Sequence, residues 1–320
     1  MTYSRRDDLQ QAQPHATTHA GLWLDKFYDA SSETAQTKPE HVLVAQVARL
    51  SVPEIYKRFF SRWEKTLQEV GARTRLAQVQ GRLAIGLGAE SVLETSIALH
   101  RTYGVPYIPG SALKGLAASF AHQYLEGETW RKGTGEAHKE LFGTTDQAGC
   151  VTFFDALYVP QSGHRKQALW QDIITVHHPD YYQRKNAPPA DWDSPTPIPF
   201  LTATGTYLIA LAGPDDWVEA AFSILEQALA QEGIGAKTNS GYGRMTLAPE
   251  KGKQVERKGV IVHFNSQKGV GKLRDIETGE EYTFNRTHLP QGRDFPKKQK
   301  IYFLIYEHSK EVISIRKRFG

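Results

Sequence analysis

Apolar residues at Ile55, Phe59, Trp63, Leu67 and Val70 recur at helical spacing behind Ser51-Val52-Pro53, and this stripe predicts a helix that Gly71 stops. Thr74 to Ile85 then reads as a strand broken by Gly81, Gly86 and Gly88, and Val92 to Leu99 as a second strand. Behind Pro109-Gly110, Ser111 is a good N-cap, and Leu113, Leu116, Ala117, Phe120 and Tyr124 fall on one face of a helix. Further along, Thr202 to Leu211 predicts a strand, while Trp217, Ala221, Leu225, Ala228 and Leu229 mark the core face of a helix and Tyr242 to Leu247 a last strand. Residues 1–40 lack this periodicity and are rich in Gln, Thr, Ala and Ser, which predicts a mobile arm. Tyr158 to Phe200, rich in Pro, Asp and Trp, predicts a long insertion that meets neighbouring subunits.

Between the last helix and the last strand lies GIGAKTNSGYGRM, Gly233 to Met245, with four glycines and the cations Lys237 and Arg244. Glycines at that density let a backbone bend tightly and approach another chain, and bare N–H groups beside cations suit a phosphate-rich ligand. A nucleotide-binding P-loop needs glycine immediately before the lysine and again five residues earlier, where Ala236 and Gln231 stand here. A P-loop also follows a strand and opens a helix, the reverse of this order. Nor is there a G-x-G-x-x-G fingerprint, because Thr238 occupies the place of the third glycine. A hairpin loop whose glycines only solve a turn stays open beside the phosphate reading.

Composition narrows the class further. With 320 residues, 40% apolar and 11% aromatic, the chain can support a core and two domains. One cysteine, Cys150, excludes an internal disulfide framework and a four-cysteine zinc site. Without an apolar run of membrane length or a secretory start, the reading is a cytoplasmic protein with no membrane partner. The net charge of +4 hides an asymmetry: residues 251–320 carry 10 Lys and 6 Arg against 8 acidic residues, net +8, so the rest sums to −4. A basic segment behind an acidic body fits an appended module that meets a polyanion, or a solvated basic surface.

Isolated candidates are weaker. Lys114 stands in the first turn of its helix, where the dipole disfavours a cation unless an anion lies nearby. His177, His178 and Asp180 lack the spacing of a metal site and read as an ordered loop contact. Asp155 of Phe153-Phe154-Asp155-Ala156 has no partner carboxylate and reads as a turn or salt bridge.

The segments IPGSALKG (Ile108 to Gly115), FFDA (Phe153 to Ala156) and GIGAKTNSGYGR together resemble the RAMP superfamily of CRISPR proteins. The longer run SVLETSIALHRTYGVPYIPGSALKG, with HHPDYY, PIPFLTATG and GIGAKT, is most similar to the sixth-subunit family of the Cmr-type, type III-B effector complex, over residues 41–248. The resemblance implies an α+β fold with a ferredoxin-like, RRM-related β-α-β-β-α-β core carrying insertions, over 41–250. It implies a non-catalytic guide-RNA-binding subunit, without metal or cofactor, whose partners are guide RNA, target RNA and the other Cmr-type subunits. Carried over by residue, Ser111 and Lys114, with Gly235, Lys237, Thr238, Ser240, Tyr242 and Arg244, are the expected RNA contacts, Tyr242 either stacking on a base or packing under the loop. The two glycine-rich motifs read as the halves of one RNA-backbone clamp. Two other readings stay open: a metal-independent endoribonuclease using His100, Tyr103 and Lys114, and a free-standing single-stranded RNA-binding protein.

Within the basic segment, KGVIVHFNSQKGVGKL (Lys258 to Leu273) resembles the first two strands of a cold-shock domain, a small all-β OB barrel, with Tyr282 to Leu289 as the third strand and 300–306 and 312–315 as the last two. Over 251–320 this implies single-strand binding through Lys258, His263, Phe264, Lys268, Lys272 and Phe284. His263 stands where that family has a stacking Trp, so binding is expected to be weak and mainly electrostatic.

Overall fold

A six-stranded antiparallel sheet carries the first of two units, Met1–Ala248, and a five-stranded one the second, Pro249–Gly320. The computed structural model describes residues 12–34, 38–178, 181, 188–193, 195–249, 254–290, 296, 298–306 and 312–317.

In the first unit, helices α1 (Ala20–Lys26), α2 (Pro39–Ala48) and α3 (Glu54–Glu69) lead to strand β1 (Arg73–Val79). Then come β2 (Tyr107–Ile108), α4 (Gly110–Tyr124), α5 (Glu136–Phe142), β3 (Thr152–Phe153) and β4 (Ala156–Tyr158). Strands β5 (Leu169–Val176) and β6 (Thr196–Ala203) form a separate two-stranded ribbon, followed by β7 (Thr206–Ala212), α6 (Asp215–Gln231) and β8 (Met245–Leu247). The sheet runs β2-β4-β7-β1-β8, with β3 also on β7. The continuous apolar run Tyr207 to Leu211 fits the central place of β7, because all five residues are buried. Helices α4 and α6 pack on each other and on the sheet, and Leu113, Ala117, Phe120, Phe222, Leu225 and Leu229 are buried between them and the strands.

Several expectations change here. The predicted arm is structured from residue 12: Trp23 and Leu24 of α1 are buried, and Leu43, Val44 and Val47 of α2 join the same core. These helices are too short to show a clear stripe; residues 1–11 and 35–37 lie outside the described ones. The face of α3 is turned by one residue from the predicted stripe, burying Tyr56, Phe60 and Leu67 and leaving Ile55 and Val70 exposed. Tyr56 draws the face round because its hydroxyl donates to the Tyr158 carbonyl at 2.7 Å. β1 ends at Val79, six residues before the predicted Ile85, and 92–99 forms no strand, making only a bridge from Leu99 to Pro106. The described residues of the 158–200 stretch include the β5–β6 ribbon.

Ser111 is not the cap of α4. That helix begins at Gly110 behind Pro109, and the Gly110 N–H donates to the carboxylate of Asp155 at 2.8 Å. Asp155, left above as a turn or salt bridge, therefore caps the helix across 45 residues of chain. Gly110 is required there, since a Cβ would stand 2.2 Å from the Phe153 carbonyl oxygen.

The second unit is an antiparallel sheet in the order β11-β10-β9-β12-β13, from β9 (Gln254–Asn265), β10 (Val270–Asp275), β11 (Glu281–Asn285), β12 (Lys300–Tyr306) and β13 (Val312–Lys317). Its core gathers Ile261, Leu273, Tyr282, Phe284, Ile301, Phe303 and Ile315. Among the described residues no helix is long and apolar enough to cross a membrane.

Removing the tertiary cap should be measurable. Asp155→Ala is expected to lower unfolding stability by about 1 kcal/mol, read as a shift of the urea midpoint at constant slope.

Candidate nucleic-acid interface

The glycine loop is held by a backbone exchange with residues 80–85. Gln80 N–H donates to the Arg244 carbonyl at 2.8 Å, Gly243 N–H to Arg82 at 2.8 Å and Ala236 N–H to Ala84 at 2.7 Å, while Ile234 N–H donates to Gly243 at 2.9 Å. Two glycines make this approach possible. A Cβ on Gly243 would meet the Ile234 carbonyl oxygen at 1.9 Å and one on Gly235 the Ala84 oxygen at 2.3 Å; both residues have positive φ. Lys237 takes the left-handed region at φ 57°, ψ 34°, and Ser240 N–H folds back to its carbonyl at 2.9 Å.

These bonds divide the loop amides into two sets. Those of Ile234, Ala236, Ser240, Gly241, Tyr242 and Gly243 are used internally. Those of Gly235, Lys237, Thr238 and Asn239 have no acceptor among the described residues. Gly235, Lys237 and Ser240 are exposed and Thr238 half-buried, so open amides and a free ammonium share one short stretch, the arrangement that binds anions.

Tyr242 faces inward. Its hydroxyl donates to Asp172 Oδ2 at 2.8 Å, its ring lies 5.9 Å from that of Phe200, and the same carboxylate oxygen pairs with Arg82 at 2.8 Å. Its ring and hydroxyl pack beneath the loop. Burial, then the bond to Asp172, pushes its pKa up to about 12. Arg244 is half-buried, and its guanidinium reaches the Ala230 carbonyl only at 3.5 Å.

Ser111 and Lys114 do not sit with this loop. The start of α4 lies against Phe153–Asp155, at the sheet end where β7 runs into α6. The far ends of α4 and α6 meet, Tyr124 donating to Glu232 at 2.7 Å. The two motifs are thus separated by the length of a 15-residue helix, about 20 Å. They are not two jaws closing on one phosphate.

A family model for the RAMP superfamily matches residues 77–246, more than half of the chain. The chain belongs to the RAMP superfamily. It is 36% identical over 247 residues to the CRISPR system Cmr subunit Cmr6 of Pyrococcus furiosus, covering 60% of this chain and 73% of that protein. A chain in the cryo-EM structure of the Type III-B Cmr-beta bound to cognate target RNA superposes with a TM-score of 0.51 at 20% identity, over 66% of this chain and 71% of that one, which establishes likeness of fold. Among RAMP proteins the chain is therefore Cmr6-like.

Other candidates fall inside and outside the RAMP match. His100 packs among Phe59, Tyr103 and Tyr107, with ring separations of 5.4, 5.0 and 6.3 Å, and burial lowers its pKa. His178 bonds Asp193 at 2.8 Å, an ordered ribbon contact; Asp180 lies outside the described residues. Beyond the match, Lys258, His263, Lys268 and Lys272 are exposed on the five-stranded sheet, and His263 faces Lys272 in register. Phe284 corrects the expectation. Alternation along β11 turns it inward, where it is 1% exposed and stacks on half-buried Phe264 at 5.6 Å, so it offers no free ring to a base.

The raised pKa of Tyr242 sets a pH window. Its stabilising contribution is complete below about pH 10 and is lost as pH rises towards about 12, because the unfolded tyrosine ionises first. The stability difference between the wild type and Tyr242→Phe, from denaturant unfolding, should shrink between about pH 10 and about pH 12.

Proposed function

We propose that this chain is a guide-RNA-binding structural subunit of a cytoplasmic type III-B CRISPR ribonucleoprotein that targets RNA, the counterpart of Cmr6, assembling with the other Cmr subunits. The observation that carries the reading is the set of open amides at Gly235 and 237–239 beside the exposed Lys237, inside the RAMP match. Such a site grips a phosphate without reading a base, as a subunit that holds any guide sequence requires. Gly235, Lys237, Thr238, Ser240 and Arg244 form this contact, with Tyr242 supporting the loop from beneath. Ser111 and Lys114, about 20 and about 15 Å along α4 from its end at the loop, are a second contact further along the strand.

The order β4-β7-β1-β8, with α4 before β4 and α6 before β8, supports the ferredoxin-like reading of residues 41–250. The order β11-β10-β9-β12-β13 around one core supports the OB reading of 251–320. With Phe284 inside, that barrel meets nucleic acid through cations and His263 and is an accessory. Target cleavage falls to another subunit. The packing of His100 among aromatic rings supports this, since a general base needs room to reach the proton it takes.

Lys237→Glu and Arg244→Glu are expected to reduce guide RNA retained by the purified complex several-fold, read by quantifying co-purified RNA, while a variant lacking 251–320 still assembles. Full retention by both loop variants, or loss of assembly on the deletion, would reverse the ranking of the two regions. Incubation of the chain with repeat-containing RNA in EDTA should yield no specific cleavage; products abolished by His100→Ala would establish an endoribonuclease instead.

A further inference from the structure

Next to the glycine loop, a cavity of about 490 Å³ opens between the end of β1 and the turn 161–167. Gln78, Gly81, Arg82, His164, Trp170 and Gly205 line it. One wall, Arg82, is the residue whose carbonyl holds Gly243, so cavity and loop share a border. The rings of Trp170 and His164 lie 5.0 Å apart, and the Arg82 guanidinium stands 5.8 Å from the Trp170 ring.

Most polar groups around this space are already engaged. Ser162 Oγ donates to the Val159 carbonyl at 2.7 Å, Thr204 Oγ1 to Gln167 at 3.0 Å, and the Gln78 amide to Gly205 at 3.2 Å. The His164 ring makes no hydrogen bond among the described residues, and the buried Trp170 Nε1 has no acceptor. The flanking turn is strained: Gln161, Arg165 and Lys166 have φ of 65°, 52° and 63°, where side chains are rare, and such strain gathers at binding sites. Arg165 and Lys166 are exposed and make no ion pair among the described residues. The interior is thus aromatic rings, engaged polar groups and the Arg82 guanidinium already paired with Asp172, and the exposed cations stand next to His164 on the turn. That division suits a base inside and phosphate outside.

We propose that this cavity takes one unstacked base of the single-stranded RNA that runs over the glycine loop, the base lying against Trp170 and His164 and its flanking phosphate facing Arg165 and Lys166. The volume is that of a small-ligand site, and stacking on aromatic rings accepts any base, so the site positions the strand without selecting its sequence. This rests on the RNA-binding reading above.

The test measures binding of the full-length chain to a labelled single-stranded RNA and to an oligomer of the same length with abasic ribose at every position. His164→Ala and Trp170→Leu should each weaken binding of the intact RNA, by about tenfold for the loss of stacking, and leave the abasic oligomer unaffected. Lys237→Glu should weaken both alike. Because His164 is exposed, its variant keeps the fold even if the Trp170 variant does not. Equal losses on both ligands, or no loss on the intact RNA with His164→Ala, would overturn the base site while leaving the backbone contact standing. Failure of the wild type to bind either ligand would overturn the RNA reading itself.

Discussion

The close exchange of backbone bonds between residues 80–85 and the loop 234–244 is the constraint on which the candidate site depends. It fixes which amides the loop uses for itself and which it leaves open, and it works only because Gly235 and Gly243 have no side chain at the points of contact. The same pairing brings Arg82 to Asp172 and Asp172 to Tyr242, tying the loop to the β5–β6 ribbon. It also makes one wall of the neighbouring cavity. A loop built to close on phosphate by flexibility alone would not need three contacts of this kind. A loop that presents a fixed set of amides does, since preorganised donors bind an anion without further ordering cost.

Legibility in the sequence followed the physics of each signal. Glycine density around Lys237 and Arg244 marked the loop, and the misplacement of Ala236 and Thr238 in nucleotide-binding patterns was enough to set those patterns aside. The long amphipathic helices α3, α4 and α6 were readable from their periodicity, although the burial of Tyr56 in place of Ile55 was not, because a hydroxyl that finds a buried acceptor behaves as core. The short helices α1 and α2 bury one face each, Ala20, Trp23 and Leu24 in α1 and Leu43, Val44 and Val47 in α2, but the exposed Leu22 and Val42 blur that stripe over so few turns. Which end of a helix faces which loop is a property of the sheet order. IPGSALKG and GIGAKT therefore looked like two halves of one clamp until the pairing of Tyr124 with Glu232 placed them about 20 Å apart.

In the second unit, strand number and approximate bounds followed from the resemblance to a cold-shock domain, but the facing of individual rings did not. Phe284 follows Tyr282 at the strand period, and both turn inward on β11; a sequence match to a strand aromatic cannot distinguish a stacking platform from a core residue. Of the other candidates Lys258, Lys268, Lys272 and His263 are exposed, with Lys272 paired to Glu281 at 3.8 Å, in a region whose net charge is +8.

The central claim is that the strand is held by the open amides of the glycine loop. Amide hydrogen exchange of the full-length chain, with and without single-stranded RNA, measures those groups directly. The account predicts strong protection at Gly235 and 237–239 on binding, with weaker changes over 254–317. Protection confined to 254–317, with the loop amides exchanging as fast as in the free protein, would contradict it.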